Sequence, residues 1–104
     1  MKSQYLEMPD RSELELSAVL DALSDPIRLE IVSALALDGE VACGTIPLPI
    51  SDSTRSHHFK ILRTAGVTAT RLAGTQRLVS LRRDDLEARF PGLLDSVLAA
   101  AAAR

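Results

Sequence analysis

The residues of this chain that are best suited to chemistry lie between Ser51 and Gly66. The stretch has the pattern of one helix, because Ser51 or Ser53 can cap its start and Gly66 can adopt the positive φ that ends a helix. Off its apolar face stand short hydroxyls, a histidine and cations, at Thr54, Arg55, Ser56, His57, Lys60 and Arg63. Such side chains contact the phosphate oxygens and base edges of nucleic acids. The stretch is therefore either a nucleic-acid-binding helix or an ordinary amphipathic surface helix.

The charge distribution favours the first interpretation. The chain has 104 residues and a formal net charge of −2, but residues 51–83 carry seven bases and one acid. Residues 1–50 have a net charge of −6 and residues 84–104 one of −2. A basic island in an acidic chain is typical of a surface that binds a polyanion. The alternative is a charge-segregated surface that has no partner.

Composition predicts one folded domain, with 46% hydrophobic and 25% charged residues. A single cysteine excludes an internal disulfide. Residues 1–10 contain no apolar run like that of a secretory signal, and the alanine-rich C-terminus is too short to span a bilayer. We therefore expect a cytoplasmic protein with no membrane partner.

The N-terminal part of the chain predicts an arm and two helices. Residues 1–11 are expected to form a flexible arm, and residues 12–104 a single domain whose first helix begins with Ser12 as its cap. Asp25 and Pro26 predict the start of the second helix, with aspartate as the cap and proline at the first helical position.

The remaining elements combine helices with one hairpin. A short helix is expected within residues 40–46, because Pro47 cannot lie inside a helix. Residues 68–81 follow the helix discussed above and predict two strands that turn at Gly74. A last helix starts near Pro91. The predicted fold class is mostly α with a β-hairpin (α+β), with about five helices.

Three segments carry a resemblance to a known family. They are Asp25–Leu29, Ser53–Leu62 and Ala65–Val67, and the basic hairpin follows them. Over about residues 12–100 the chain resembles the ArsR/SmtB family of bacterial transcriptional regulators. The resemblance implies a winged helix-turn-helix protein that binds a palindromic operator in double-stranded DNA as a homodimer. Such a protein is most often a repressor, and many members of the family release DNA when they bind a metal ion or when cysteines oxidise. We therefore expect a bacterial cytoplasmic protein that is associated with the nucleoid.

The resemblance also implies roles for individual residues. The residues expected to face the major groove are Ser53, Thr54, Arg55, Ser56 and His57. Lys60 and Arg63 are expected to contact phosphates, and Arg71 and Arg77 to form the contacts of the wing. The first and last helices are expected to pair across a two-fold axis. The apolar residues expected at that interface are Leu16, Val19, Leu20, Leu94, Val97 and Leu98.

The family's metal sites are not intact in this sequence. The thiolate site uses a Cys-x-Cys pair, whose positions are occupied here by Ala42 and Gly44, with Cys43 between them. The other common site needs histidine on the last helix, which has none. Cys43, His57 and His58 remain as candidate ligands, and nickel or zinc as the candidate ion, so the cofactor stays unknown. Cys43 is otherwise a redox switch or a small buried hydrophobe.

The sequence also allows two other classes of function. One is a winged-helix interaction module or metal-binding co-regulator that works mainly through a protein partner. The other is an enzyme with Cys43 as nucleophile and His57 or His58 as base. We expect no enzyme, because the chain offers no acid to orient the base and too little length to form a pocket.

Overall fold

The computed structural model describes residues 4–103, which form five α-helices and a three-stranded antiparallel sheet. The helices are α1 (Leu16–Ala22), α2 (Pro26–Asp38), α3 (Asp52–Ala65), α4 (Arg83–Arg89) and α5 (Leu93–Ala102). The strands are β1 (Val41–Ala42), β2 (Thr68–Ala73) and β3 (Gln76–Leu81), in the spatial order β1-β3-β2. None of the helices within the described range is long and apolar enough to cross a membrane.

Helix α2 begins as the sequence predicts. The Asp25 carboxylate accepts hydrogen bonds from the backbone N–H groups of Ile27 and Arg28, at 2.9 and 3.1 Å. Pro26 occupies the first turn, where its missing N–H costs nothing. Gly39, with φ of 74°, ends the helix.

Helix α3 has both of its predicted ends. Ser51 caps it by accepting a hydrogen bond from the N–H of Thr54, at 3.3 Å. At the other end Gly66 has φ of 87°, and the N–H of Val67 returns to the carbonyl of Leu62 at 3.0 Å. This is the pattern of a Schellman cap, which satisfies the last carbonyls of the helix.

The hairpin also forms as predicted. Strands β2 and β3 pair from Thr68 with Leu81 to Ala73 with Gln76, and Gly74 has φ of 64° in the two-residue turn. Such a turn favours glycine because L side chains rarely adopt positive φ. The strands therefore form a wing directly after α3.

The predicted short helix within residues 40–46 is wrong. Val41 and Ala42 form strand β1, which pairs with Val79 and Leu78 of β3, and a 3₁₀ turn follows at Cys43–Thr45. The number of α-helices is nevertheless five, because Arg83–Arg89 forms helix α4. The conformation of Val41 and Ala42 is set by their pairing with a strand almost forty residues further along the chain. The local sequence pattern does not reveal that pairing.

The predicted N-terminal arm also needs correction where it is described. Residues 1–3 lie outside the described residues, but residues 4–6 run antiparallel to β2 as an added edge. The N–H of Leu6 donates to the carbonyl of Thr70 at 2.8 Å, and the N–H of Leu72 donates to the carbonyl of Gln4 at 2.9 Å. An open strand edge offers unpaired backbone groups, and this segment satisfies them.

The start of the domain differs from the prediction in a second way. The N–H of Asp10, not that of Ser12, donates to the Glu13 carboxylate at 2.8 Å, at the start of a 3₁₀ turn at Arg11–Glu13. Helix α1 therefore begins only at Leu16.

The core is aliphatic except for Phe59, and it draws on every helix and on the sheet. Its buried residues are Leu14, Val19, Ala22, Leu23, Ile31, Val32, Leu35, Ile46, Phe59, Leu62, Val67, Val79, Leu86 and Leu94. Two of them, Val19 and Leu94, were predicted at a dimer interface. That prediction needs correction for these two residues, because the chain's own core covers 100% and 96% of them.

Candidate nucleic-acid interface

One face of α3 is polar and exposed along its length. Ser53, Ser56, His57 and Lys60 are all exposed, and their spacing of three or four residues puts them on one side of a helix. Thr64 continues this face one turn further. Thr64 was not among the predicted contact residues, although it lies four residues after Lys60.

Thr54 is exposed at the start of α3, but its hydroxyl takes part in the cap. Its Oγ1 accepts a hydrogen bond from Ser51 Oγ at 3.0 Å. Thr54 can still donate its hydroxyl proton to a phosphate oxygen, because a hydroxyl group both donates and accepts.

Arg55 and Arg63 lie on a different face of α3 from the exposed polar residues. Together with Phe59 they face a cleft against the sheet. Arg55 Nη1 donates to the carbonyl of Ile46 at 2.6 Å, so it holds the segment before α3. Arg63 Nε is buried and has no hydrogen-bond partner among the described residues. The two arginines therefore do not share the exposed face with Ser53 and His57, although Arg55 is predicted to face the groove with them.

The two wing arginines lie on opposite faces of the hairpin. Arg77 pairs with Leu72, whereas Arg71 pairs with Leu78, and successive residues of a strand point to opposite faces. Arg77 is exposed and lines the cleft, together with Thr70. The faces of the two arginines follow from the register of the hairpin, which the sequence alone does not reveal.

Arg71 is bound to a carboxylate that the sequence analysis did not single out. Its Nε and Nη2 donate to the two oxygens of Glu40, each at 2.8 Å. The hydrogen bond from Arg71 holds the pKa of Glu40 below its usual range. The positive charge of Arg71 is therefore largely neutralised within the chain.

Two more arginines of the basic island are paired. Buried Arg82 donates from Nε to Asp85 at 2.9 Å and from Nη1 to the carbonyl of Pro9 at 2.6 Å. Arg83 donates to Asp95 at 3.1 Å. These pairs serve the fold, so the unpaired positive charge is concentrated on α3 and at Arg77.

His58 belongs to the packing between α2 and α3, not to the exposed face. Its Nδ1 lies 3.1 Å from Arg28 Nη1 and 3.9 Å from Asp25. A guanidinium has no acceptor, so this nitrogen of His58 accepts the bond and carries no proton. The Arg28 Nε donates in turn to the carbonyl of Ala22 at 2.6 Å. His58 therefore helps to hold α3 against α2, and its Nδ1 is not free to bind a metal.

The surroundings of Cys43 do not suit a metal cation. Burial raises the pKa of its thiol, and Arg77, Arg55 and Arg63 oppose that increase. Within residues 4–103 no group of three or more His, Cys, Asp or Glu side chains could hold an ion. The positive charges of these three arginines would repel a divalent cation from the Cys43 thiol. The chemistry of this site therefore does not fit the family's thiolate metal site.

The comparisons with known proteins agree with the fold. The chain is 36% identical over 100 residues to an uncharacterized HTH-type transcriptional regulator, YceK, of Bacillus subtilis, covering 93% of the chain and 100% of that protein. It is 36% identical over 74 residues to the arsenical resistance operon repressor of Staphylococcus xylosus, covering 70% of the chain and 71% of that protein. No protein-family model matches.

A solved structure shows the same architecture. The transcriptional repressor BigR from Xylella fastidiosa matches with a TM-score of 0.64 and 28% identity, over 82% of the chain and 84% of that protein. The fold and its exposed α3 therefore define a winged helix-turn-helix protein. The chain belongs to the ArsR/SmtB family of HTH-type transcriptional regulators.

Proposed function

We propose that this protein is a regulator that binds an imperfect palindrome in double-stranded DNA as a homodimer and represses transcription. The observation that carries the proposal is the exposed polar face of α3, at Ser53, Ser56, His57 and Lys60. In a helix-turn-helix protein such a face enters the major groove. A protein that acts on chromosomal DNA also fits the predicted cytoplasmic location.

The wing extends this surface with one free cation. Arg77 is exposed and has no ion pair within the described part of the chain. An arginine near the tip of a hairpin can lie along phosphates or in a narrow minor groove. Arg71 would have to exchange its bond with Glu40 for a phosphate, so we assign it the weaker contact.

The homodimer is supported by apolar surface on α1 and α5. Leu16 and Leu20 of α1 are 47% and 45% exposed. Val97 and Leu98 of α5 are half-buried, and Val97 lines an apolar groove of about 320 Å³ beside Leu20. A second copy of α1 and α5 would bury this surface, and two-fold symmetry would place the two α3 helices in successive major grooves.

A metal cofactor is not part of the proposal. The relative from Staphylococcus xylosus is named for arsenical resistance. In this chain Cys43 lies among three guanidinium groups, and the donor set does not suit nickel or zinc. The alternative, a module that works mainly through a protein partner, gains no support from relatives that are named as transcriptional regulators.

The test is selection of a binding site from a random pool of duplexes, followed by fluorescence anisotropy against the selected and a shuffled duplex. We expect the selected sequence to be an imperfect palindrome with half-site centres about 34–36 Å apart. Binding to the selected duplex should be at least about a thousandfold tighter than to the shuffled one. Failure to enrich any sequence would contradict the proposal.

A further inference from the structure

The cleft between α3, the Cys43–Thr45 turn and the hairpin has an excess of positive charge. Arg55, Arg63 and Arg77 line it, and Asp52 is the one carboxylate among its lining residues. Three guanidinium groups against one carboxylate favour an anionic ligand. The cleft has a volume of about 530 Å³, which lies within the range of small-molecule sites.

Two lining residues of the cleft hold buried polar atoms that lack partners. Thr70 is only 2% exposed, and its Oγ1 has no hydrogen-bond partner among the described residues; the same is true of Arg63 Nε. Native proteins rarely leave such atoms unsatisfied, because each costs free energy. Phe59 adds an apolar wall to the cleft. A ligand with several acceptor oxygens would meet the guanidinium groups that line the cleft, and it would reach the two buried atoms only after their side chains shift.

We propose that this cleft binds a small phosphate-bearing anion. Guanidinium groups match phosphate oxygens with paired, charge-assisted hydrogen bonds, and three of them converge here. A phosphate of the DNA backbone has the same chemistry. We assign the free anion because Arg55 and Arg63 line the cleft and do not lie on the exposed polar face of α3.

The site also couples to DNA, and this part rests on the proposed function. Ser56 lies both on the exposed face of α3 and at the edge of the cleft. An anion bound beside Arg55 and Arg77 would lower the positive potential of the surface that meets the duplex. The anion would therefore weaken duplex binding and act as an inducer.

The experiment uses the full chain without DNA. Isothermal titration calorimetry measures binding of pyrophosphate and of inorganic phosphate, against chloride at the same ionic strength. The rate at which iodoacetamide alkylates Cys43 shows whether the anion binds in the cleft, because Cys43 lines it. We expect saturable binding that slows alkylation. The Arg77→Gln variant should bind about tenfold more weakly, because one charge-assisted hydrogen bond is lost. Arg77 is exposed, so this change leaves the fold intact.

The matched control is Arg83→Gln, which removes an exposed cation outside the cleft. It should bind pyrophosphate like the unchanged protein. The proposal would be overturned if neither pyrophosphate nor phosphate bound, or if chloride at the same ionic strength had the same effect. It would also be overturned if Arg77→Gln and Arg83→Gln lost equal affinity for pyrophosphate. Protection of Cys43 by duplex DNA but not by pyrophosphate or phosphate would also overturn it, because the ligand would then be the DNA backbone. If the protein binds the anion but enriches no DNA sequence, the anion site is supported and the proposed function is contradicted.

Discussion

Arg71 of strand β2 holds Glu40 with two parallel hydrogen bonds, from Nε to Oε2 and from Nη2 to Oε1, each 2.8 Å long. The pair connects the wing to the loop that follows α2. It also neutralises a cation that the family resemblance assigns to DNA. Within residues 4–103, the wing of this protein therefore presents Arg77 without a carboxylate partner and Arg71 with one.

The Glu40→Gln variant is expected to bind duplex DNA more tightly. The change frees the positive charge of Arg71, so one more phosphate can be neutralised and the dependence on salt becomes steeper. Anisotropy titrations at several salt concentrations measure both effects. Asp38→Asn is the control, since it removes an exposed acid near the same loop. Equal gains in duplex affinity in the two variants would mean that the net charge of the protein, and not the release of Arg71, determines the effect.

The Gly66→Ala variant is expected to lose about 2–5 kcal/mol of unfolding free energy. The residue has φ of 87°, which costs an L residue about 1–2 kcal/mol, and overpacking adds about 1–3 kcal/mol. The overpacking arises because a Cβ here would collide with Leu14 Cδ2. Urea denaturation measures the loss.

Gly92→Ala is the matched control for Gly66→Ala. Gly92 has a similar conformation, with φ of 81°, but a Cβ there would meet no atom within 4 Å. Only the backbone cost of about 1–2 kcal/mol should therefore appear. Equal losses at the two glycines would contradict the close approach of Leu14 to Gly66.

Asp85 should make stability depend on pH in the acid range. It accepts hydrogen bonds from Arg11 at 2.7 Å and from Arg82 at 2.9 Å. The bond from Arg11 is the main reason that the pKa of Asp85 lies below its ordinary value of about 4. Because the folded-state pKa is depressed, the ionised carboxylate stabilises the fold above about pH 4, and this contribution is lost as the pH falls through the folded-state pKa.

The Asp85→Asn variant should therefore lose about 1–3 kcal/mol of unfolding free energy at neutral pH. Its difference from the unchanged protein should shrink in the acid range. Urea denaturation at neutral and acid pH tests this, with the exposed neighbour Asp84→Asn as the control. A loss that is equal at both pH values would argue against an ionised Asp85 in the fold.

The Leu20→Asp variant is expected to be monomeric. Leu20 is 45% exposed beside the apolar groove of α1 and α5, and a carboxylate there could not be buried by a second copy without a partner. Leu37→Asp is the control, because Leu37 is 85% exposed and is not among the residues that line the groove. Analytical ultracentrifugation distinguishes the two. A monomeric unchanged protein, or a dimer that persists in Leu20→Asp, would contradict the interface.

The features that could be predicted are those fixed by neighbouring residues. Asp25 and Pro26 define the start of α2, and Ser51 and Gly66 define the ends of α3, because caps satisfy backbone groups within one turn. Gly74 fixes the hairpin in the same way. These local signals were sufficient to identify a helix followed by a wing.

The features that were missed depend on contacts between distant residues. Strand β1 exists because Val41 meets Val79, and residues 4–6 are ordered by the edge of β2. The opposite faces of Arg71 and Arg77 follow from the register of the hairpin, since a shift of one residue turns a side chain to the other face. The convergence of arginines on one cleft is likewise a property of the folded chain alone.

The most direct test of the account compares two variants on α3 for binding to the selected duplex and to a shuffled one. His57→Ala should reduce the preference for the selected duplex, because a base contact supplies about 1–3 kcal/mol of discrimination. Lys60→Ala should weaken binding to both duplexes equally. It should also reduce the slope of log affinity against log salt concentration by about one, as expected for the loss of a phosphate contact. If both variants bind both duplexes like the unchanged protein, the exposed face of α3 does not read DNA and the central claim is wrong.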